Sequence, residues 1–338
     1  MSINENDVIL QVQDLKKHFM PHQGLLQSLG TKTKKVIKAV DGISFGIRRG
    51  EIFGLIGESG SGKTTTGKLV MKLIEPTSGK IVFNGEDVTI TDRGRTKAYR
   101  RQVQMIFQDP YASMNPRFKI RDVLGEPLII HKIEGDRLRH EEMIIKSLTE
   151  VKLNPPSDFM GRYPHMLSGG QRQRVATART LILNPMMLVA DEPVSMIDLS
   201  TRAEILHMMK DVQRDLGLTY LYITHDLSTA RYFTDRIAVM YLGRIVEMGR
   251  ADDVIDNPIH PYTRALIDAV PEPETGMVDI IKELPISGEI PSPANIPPGC
   301  RFHTRCPYAK PVCSEQTEPE LSDVGNGHFH ACRRWKEL

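Results

Sequence analysis

The sequence predicts an α/β protein with a parallel sheet, an inserted helical subdomain and a small irregular module at its C-terminal end. Short apolar runs rich in β-branched residues alternate with helical patterns, as at Ile52–Ile56, Met187–Ala190 and Thr219–Thr224. Such alternation is typical of parallel strands that are joined by helices. The stretch from Phe118 to Val175 has few runs long enough for strands, which predicts the insertion. The last part of the chain is rich in proline and contains every cysteine, which sets it apart from the rest.

These composition changes predict the domain boundaries. Ten of the 22 prolines lie from Pro271 onward, where long helices and central strands are therefore not expected. We expect a main domain over residues 1–270, a helical subdomain at about 112–170 and a C-terminal module over 271–338. Residues 21–35 contain two glycines and several lysines, which indicates an exposed loop.

Charge and hydropathy restrict the classes of function. The 338 residues include 44 Lys and Arg against 42 Asp and Glu, for a net charge of +2. This balance argues against a protein that coats nucleic acid, and we expect no nucleic-acid partner. No run approaches the length of a membrane-spanning helix, and the first residues do not resemble a signal peptide. We expect a soluble intracellular chain.

A phosphate-binding loop is the clearest motif. An apolar strand pattern ends at Ile56, and a helical segment begins at Thr65, which places a strand before the motif and a helix after it. The glycines allow backbone N–H groups to point at phosphate oxygens, Lys63 would neutralise phosphate charge, and the Thr64 hydroxyl would bind Mg²⁺. A Gly-rich turn is the alternative. The motif predicts an ATP site and consists of Gly57, Glu58, Ser59, Gly60, Ser61, Gly62, Lys63 and Thr64.

Two carboxylates follow the buried pattern Met187–Ala190. A strand that delivers Asp191 and Glu192 at its carboxyl end fits the second half of such a site. Asp191 would hold Mg²⁺, and Glu192 would polarise the attacking water as a general base. Alone, such a pair could be a solvated loop, but a phosphate loop upstream favours the catalytic interpretation.

A second helix start also suits an anion. Ser168 stands at an N-cap position before the predicted helix Arg172–Leu183, and two glycines next to it expose backbone N–H groups. An ordinary helix cap is the alternative. Because one nucleotide needs only one phosphate loop, this motif suggests action on a nucleotide held by another copy or partner. It comprises Leu167, Ser168, Gly169, Gly170 and Gln171.

From Val8 to Val270 these residues resemble the ATP-binding cassette (ABC) ATPase family. The phosphate loop, the signature Leu167–Gln171 and the pair Asp191–Glu192 occur in the family's order. The resemblance implies that Gln108 senses Mg²⁺ and water, that His225 contacts the γ-phosphate, and that Ser168 and Gly170 cap that phosphate across a dimer interface. It also identifies the D-loop around Asp198, with Met196-Ile197 in place of the usual Ala-Leu. Phe19 lies where the family stacks an aromatic ring on adenine, with a buried core role as the alternative.

More narrowly, the chain resembles the ATPase subunits of oligopeptide and dipeptide importers. The similarity rests on Phe107–Pro116, Met240–Gly243, Asn257–Thr263 and Pro298–Pro307. It implies a second ABC ATPase subunit of the same or a different chain, two transmembrane permease subunits, and indirectly an extracytoplasmic substrate-binding protein. It further implies a peripheral position at the cytoplasmic face of the membrane. Import of oligosaccharides or nickel, or a soluble ABC ATPase outside transport, are the alternatives.

The four cysteines, Cys300, Cys306, Cys313 and Cys332, all lie within the last 39 residues. Their spacing lacks the close pairs of common zinc sites and the run of ferredoxins, so it identifies no metal. His303, His328 and His330 could join a zinc site. The family resemblance implies a [4Fe-4S] cluster on the four cysteines, with zinc and free thiols as alternatives. We expect a structural task, in which the metal holds together a module too rich in loops to fold alone.

Overall fold

A computed structural model describes residues 7–20, 36–111, 113–269, 286 and 288–338. The loop expected at 21–35 and the expected domain boundary at 270/271 lie outside these residues. No helix in the described ranges is both long and apolar enough to cross a membrane.

The described strands are β1 (Val8–Phe19), β2 (Ile37–Arg48), β3 (Ile52–Ile56), β4 (Ser78–Phe83), β5 (Glu86–Asp87), β6 (Val103–Ile106), β7 (Met187–Asp191), β8 (Thr219–Thr224), β9 (Arg236–Tyr241), β10 (Arg244–Arg250), β11 (Ser322–Asp323) and β12 (Phe329–His330). The described helices are α1 (Lys63–Val70), α2 (Arg93–Gln102), α3 (Ile120–Ile130), α4 (Arg137–Glu150), α5 (Ser157–Met160), α6 (Gly169–Leu181), α7 (Leu199–Leu216), α8 (Leu227–Phe233), α9 (Ala251–Asp256), α10 (Pro261–Asp268) and α11 (Pro311–Glu315). Short 3-10 turns occupy Pro164–Met166 and Trp335–Glu337.

The main sheet has the order β11-β12-β10-β9-β3-β8-β7-β6 among the described strands. The five strands from β9 to β6 run parallel, as the alternating sequence pattern predicts. Every residue of β3, β7 and β8 is buried, because helices or the second sheet cover both faces. Their carboxyl ends therefore meet at one edge, where residues that follow different strands can form a single site.

A second, antiparallel sheet has the order β2-β1-β4-β5 in the described chain. Its apolar face packs on the main sheet, and the rings of Phe45 in β2 and Phe53 in β3 are stacked with their centroids 5.2 Å apart. This packing places β2 against the phosphate loop, since the backbone carbonyl of Ala39 lies beside Gly62.

The helical subdomain contains α3, α4 and α5, and it packs on α6. Apolar residues of these helices form one core with α7 and with one face of β7 and β8. Ser168 begins α6 because its side-chain oxygen accepts from the Gln171 N–H, while the Gln171 side chain accepts from the Ser168 N–H. The insertion is therefore anchored to the element that carries the signature motif.

The C-terminal module is continuous with the main sheet. β12 pairs antiparallel with β10, so two strands of the tail extend the sheet beyond β9. Phe302 is fully buried against the rings of Tyr241 in β9 and Tyr262 in α10. The module thus shares a hydrophobic core with the larger domain.

Candidate nucleotide-binding site

The phosphate loop connects β3 to α1 and curls around the Lys63 ammonium group. This nitrogen donates to the carbonyl oxygens of Gly57 at 2.6 Å and Glu58 at 2.9 Å, and it lies 3.4 Å from the Ser61 hydroxyl. Burial lowers the pKa of Lys63, while the nearby carboxylates of Glu192, Asp191 and Glu58 oppose that shift. The Lys63 ammonium group, which here donates to neutral oxygen atoms, can exchange them for phosphate oxygens because hydrogen bonds to an anion are stronger.

Two glycines of the loop have conformations that exclude side chains. Gly57 has a φ of +152°, and a Cβ there would lie 2.2 Å from the Met240 carbonyl oxygen. Gly62 has a φ of +107°, and a Cβ would lie 2.2 Å from the Ala39 carbonyl oxygen. The loop therefore passes so close to β9 and β2 that only glycine fits at these positions. Ser59 and Gly60 form its exposed tip, and Thr65 follows in the first turn of α1.

Oxygen ligands suited to Mg²⁺ meet at the end of β7. The Thr64 hydroxyl donates to the Asp191 carboxylate at 3.1 Å, although the two residues are 127 positions apart. Burial raises the pKa of Asp191, and the Glu192 charge adds to this effect, while the Thr64 hydrogen bond lowers the pKa. A hydroxyl beside a buried carboxylate is a donor set that fits Mg²⁺, and the cation would favour the ionised form.

Glu192 lies at the centre of the candidate catalytic group. The Gln108 side-chain N–H₂ donates to one carboxylate oxygen at 3.0 Å, and His225 Nδ1 lies 2.9 Å from the other. The backbone of Glu192 is left-handed, with a φ of +48°, and its N–H donates to the Ile223 carbonyl at 2.9 Å. An unusual backbone conformation thus directs the carboxylate away from its strand. The structure brings together all three predicted catalytic residues.

The signature motif is placed on a different element. Ser168, Gly169, Gly170 and Gln171 form the start of α6, and no hydrogen bond or ion pair among the described residues joins them to the phosphate loop. Asp198 is exposed at the N-cap of α7.

Phe19 ends β1 and is 39% exposed, with the Lys17 ammonium 5.1 Å from its ring centroid. The alternative of a buried core residue is therefore wrong. An exposed ring beside a cation is free to contact a flat ligand.

Sequence reasoning missed two residues that contact the phosphate loop. The Tyr262 hydroxyl accepts from the Glu58 N–H at 2.9 Å, and Arg305 forms two hydrogen bonds to the Glu58 carboxylate. Both lie more than 200 positions downstream of Glu58. The sequence signal was that Tyr262 and Arg305 lie in Asn257–Thr263 and Pro298–Pro307, two segments that carry the importer resemblance.

The four cysteines line one pocket under the C-terminal module. Burial raises the pKa of the Cys300 thiol to about 12, and it also raises the pKa values of Cys306 and Cys332. Each of these three sulfurs also accepts a backbone N–H from the residue two positions later, which favours the thiolate. Within the described ranges, no group of three or more His, Cys, Asp or Glu side chains is arranged to hold a metal ion.

Comparisons with known proteins agree with this geometry. Residues 40–195 match the family described as ABC transporter, and residues 246–313 match the oligopeptide/dipeptide transporter C-terminal region. The oligopeptide transport ATP-binding protein AppF of Bacillus subtilis is 44% identical over 98% of this chain and 99% of its own length. The dipeptide transport ATP-binding protein DppF of Escherichia coli is 42% identical over 96% of this chain and 93% of its own.

Solved structures show the same fold. The cbiO1 protein of Clostridium perfringens, part of the ABC transporter complex cbiONQ, superposes with a TM-score of 0.63 at 25% identity, over 74% of this chain and 92% of that one. The ATP-binding cassette MJ0796, a dimer bound to ADP and phosphate, gives 0.61 at 26% identity, over 72% of this chain and 98% of that one. Family profile, full-length relatives and fold all agree, and the chain belongs to the ATP-binding proteins of ABC transporters, in the oligopeptide/dipeptide transport group.

Proposed function

We propose that this chain is the ATP-hydrolysing subunit of an importer for dipeptides or oligopeptides. The observation that carries the proposal is the Glu192 carboxylate, which Gln108 and His225 hold from two sides at the end of a parallel sheet. The relatives AppF and DppF are described as oligopeptide and dipeptide transport proteins, which supports the substrate class.

Glu192 would accept the proton of the attacking water. Its carboxylate is the acceptor in both contacts, so Gln108 and His225 would fix its orientation while a water approaches. His225 would also donate toward the γ-phosphate. Thr64, Asp191 and Gln108 would hold Mg²⁺, which would neutralise phosphate charge when bound.

Binding of ATP would reorganise the phosphate loop only locally. Lys63 would exchange the carbonyl oxygens of Gly57 and Glu58 for phosphate oxygens, while N–H groups of the loop and of the α1 N-terminus bind the rest. The exposed Phe19 ring would stack on adenine and add affinity with little base specificity.

The signature motif would complete the site of a second subunit. In the described part of the chain, no hydrogen bond or ion pair joins the N-terminus of α6 to the phosphate loop of the same chain. This separation suits a head-to-tail dimer, in which the N-terminus of α6 faces the partner's nucleotide through Ser168, Gly169, Gly170 and Gln171. Near Asp198, Met196 and Leu199 are 63% and 80% exposed, and burial of such apolar side chains in a dimer is favourable.

One of the two permease subunits would dock beside Gln108 of this chain. A groove between the helical subdomain and the core is lined by Phe107, Pro127, Ile130, His131 and Arg179. An exposed apolar side chain at its rim, Ile130, suits an inserted helix of a membrane subunit. The chain would thereby sit peripherally at the cytoplasmic face of the membrane, and an extracytoplasmic protein would deliver the peptide to the permeases.

We further propose that the four cysteines hold a [4Fe-4S] cluster with a structural role. Four sulfurs around one pocket, three of them with N–H donors, suit metal-bound thiolates. The zinc alternative would use the same sulfurs, and the described residues hold no preassembled group of donors that favours one metal over the other. Absorption near 400 nm, with iron and sulfide analysis after anaerobic purification, tests the cluster; zinc without iron would contradict it.

Capture of membrane partners tests the main proposal. A tagged Glu192→Gln variant that remains bound to ATP should co-purify with polytopic permease subunits from detergent-solubilised membranes. The wild-type complex in vesicles, with its binding protein, should hydrolyse ATP faster when dipeptides or oligopeptides are added. Stimulation by oligosaccharide or nickel instead would contradict the peptide assignment, and capture of ribosomes or DNA would contradict transport.

A further inference from the structure

A two-point ion pair joins the C-terminal module to the phosphate loop. Arg305 Nη1 lies 2.8 Å from Glu58 Oε2, and Nη2 lies 3.1 Å from Oε1. The Arg305 side chain is buried, while that of Glu58 is partly buried. A planar guanidinium that makes two parallel hydrogen bonds fixes the direction of its partner as well as its charge.

Glu58 is held at three points. Arg305 binds its carboxylate, the Tyr262 hydroxyl accepts from its N–H at 2.9 Å, and the Lys63 ammonium donates to its carbonyl at 2.9 Å. Only the last contact comes from the phosphate loop itself. Because the Lys63 contact would be exchanged on phosphate binding, Arg305 and Tyr262 are the contacts that keep this residue in place while ATP is bound.

Aromatic rings support Arg305 from below. Its guanidinium carbon lies 5.9 Å from the Tyr241 ring centroid, and the Tyr241 ring lies 4.6 Å from Tyr262 and 5.4 Å from Phe302. Phe302 also lines the cysteine pocket, and Arg305 directly precedes Cys306. Residues that line the cysteine pocket therefore also pack beneath the side chain that binds the phosphate loop.

The negative charge of Glu58 connects the Arg305–Glu58 ion pair to the affinity for ATP. Glu58 is an anion within a loop that must accept a triphosphate, so an unpaired carboxylate would repel the ligand. Arg305 compensates that charge from a buried position. Removal of one partner of such a pair leaves the other charge uncompensated, which is more unfavourable in free energy than removal of both charges.

We propose that Arg305 of the C-terminal module is a positioning residue for the phosphate loop, which acts through Glu58 and sets the affinity for ATP. This inference rests on the proposed function of the loop as the ATP site. It assigns the module a role in nucleotide binding besides holding its own cysteines, and it leaves the catalytic group around Glu192 untouched.

Nucleotide binding and steady-state kinetics of the full-length chain test this inference. In Arg305→Gln, the Kd and KM for ATP should rise about tenfold, because Glu58 is left unpaired but only partly buried, while kcat stays within about twofold. Raising the ionic strength should reduce the defect, since it screens the repulsion. Lys310→Gln is the matched control: it removes an exposed cation of the same module, 3.0 Å from Glu337, and should bind ATP like wild type.

The double variant Glu58→Gln/Arg305→Gln separates charge compensation from general damage. It removes both charges, so ATP affinity should return to within about threefold of wild type. Arg305→Lys should give an intermediate affinity, because it restores the charge but not the two-point geometry. Thermal unfolding and thiol titration of every variant report whether the module is intact, and if Arg305→Gln fails to fold, the double and Lys variants decide.

Three results would overturn the inference: unchanged ATP affinity in a folded Arg305→Gln variant, a double variant as weak as the single one, or a loss confined to kcat. A wild-type chain that binds no ATP would instead contradict the proposed function. The two failures are therefore distinguishable.

Discussion

The nucleotide site and the cysteine module are both assembled from residues far apart in the chain, but by different means. The nucleotide site is built at the carboxyl ends of strands of one parallel sheet: Asp191 ends β7 and Glu192 follows it, His225 follows β8, and Thr64 lies in the first turn of α1 after β3. The sheet order therefore brings them together. In the described part of the module, Cys313 lies on the short helix α11, the other three cysteines lie in irregular segments, and the strands β11 and β12 have two residues each.

This difference teaches which kind of site can be read from a sequence. The position of a motif at the end of a predicted strand can be predicted from the sequence, because the carboxyl ends of parallel strands share one edge of the sheet. The position of a cysteine in an irregular segment cannot be predicted in this way, because its neighbours depend on contacts with the rest of the fold. Four predictions test this comparison, in order from the largest expected effect to the smallest.

The largest effect should come from Glu192→Gln. If the nucleotide site works as proposed, loss of the general base should lower kcat for ATP hydrolysis by at least about 100-fold, while ATP-induced dimerisation persists. Glu204→Gln, which changes an exposed carboxylate on α7, is the control and should hydrolyse ATP normally. Near-normal hydrolysis by Glu192→Gln in single-turnover assays would remove Glu192 from the mechanism.

The next effect should come from the module. If the module holds the proposed cluster, Cys300→Ser, which removes the most deeply buried of the three thiols with raised pKa values, should abolish absorption near 400 nm and lower the melting temperature. Ser314→Ala, which changes a partly exposed residue beside Cys313, should retain both properties. Iron content that is unchanged in Cys300→Ser would show that this sulfur is not a ligand.

A pH dependence should arise from His260, which precedes the module and lines the cysteine pocket. Burial lowers the pKa of His260 to about 4, although Glu247 opposes the shift. Between pH 6.5 and 4 the unfolded chain takes up a proton that the folded chain does not, so the free energy of unfolding falls as the pH falls. From His260 alone the loss at pH 5 is about 2 kcal/mol.

Urea unfolding at pH 7 and pH 5 measures this loss. His260→Gln should lose about 2 kcal/mol less between the two pH values than wild type does. The exposed His165 provides the control, and His165→Gln should keep the wild-type dependence. An identical pH dependence in His260→Gln would contradict a neutral, buried imidazole at this position.

The smallest effect should come from Phe19→Ala in the nucleotide site. Loss of one stacking ring should weaken ATP binding by about 1–2 kcal/mol, roughly tenfold, and Phe19→Trp should restore it. Phe118→Ala is a close match, because Phe118 is also 39% exposed but lies just before α3. Equal ATP affinities for the two Ala variants would show that Phe19 does not stack on the base.

The fully buried parallel strands were predictable, and β3 and β8 have the predicted bounds. The apolar run Val8–Val12 predicts only the first part of β1, which continues to Phe19 because pairing with β2 and β4 holds its polar second half. β2 and β10 were not identified. Glycine, aspartate and arginine interrupt the apolar pattern of β2, and tertiary pairing decides its structure.

In the nucleotide site, too, the sequence predicts the contacts between motifs but not the contacts that tertiary packing creates. The contacts Thr64–Asp191 and Glu192–His225 join residues that the motifs already placed at one edge. Arg305 and Glu58 are 247 residues apart, and no periodicity connects a turn in the tail to the second residue of a loop near the start. The pairing of β12 with β10 and the burial of Phe302 against Tyr241 and Tyr262 bring the tail to that position.

The pairing of β12 with β10 has a consequence for biosynthesis. Residues 329–330 are translated well after β10, so a nascent chain that has completed β10 still exposes an unpaired strand edge at Glu247 and Met248. Until residue 305 is translated, the phosphate loop also lacks Arg305. Protection of this edge against aggregation and completion of the surroundings of the phosphate loop therefore both wait for the tail to be synthesised.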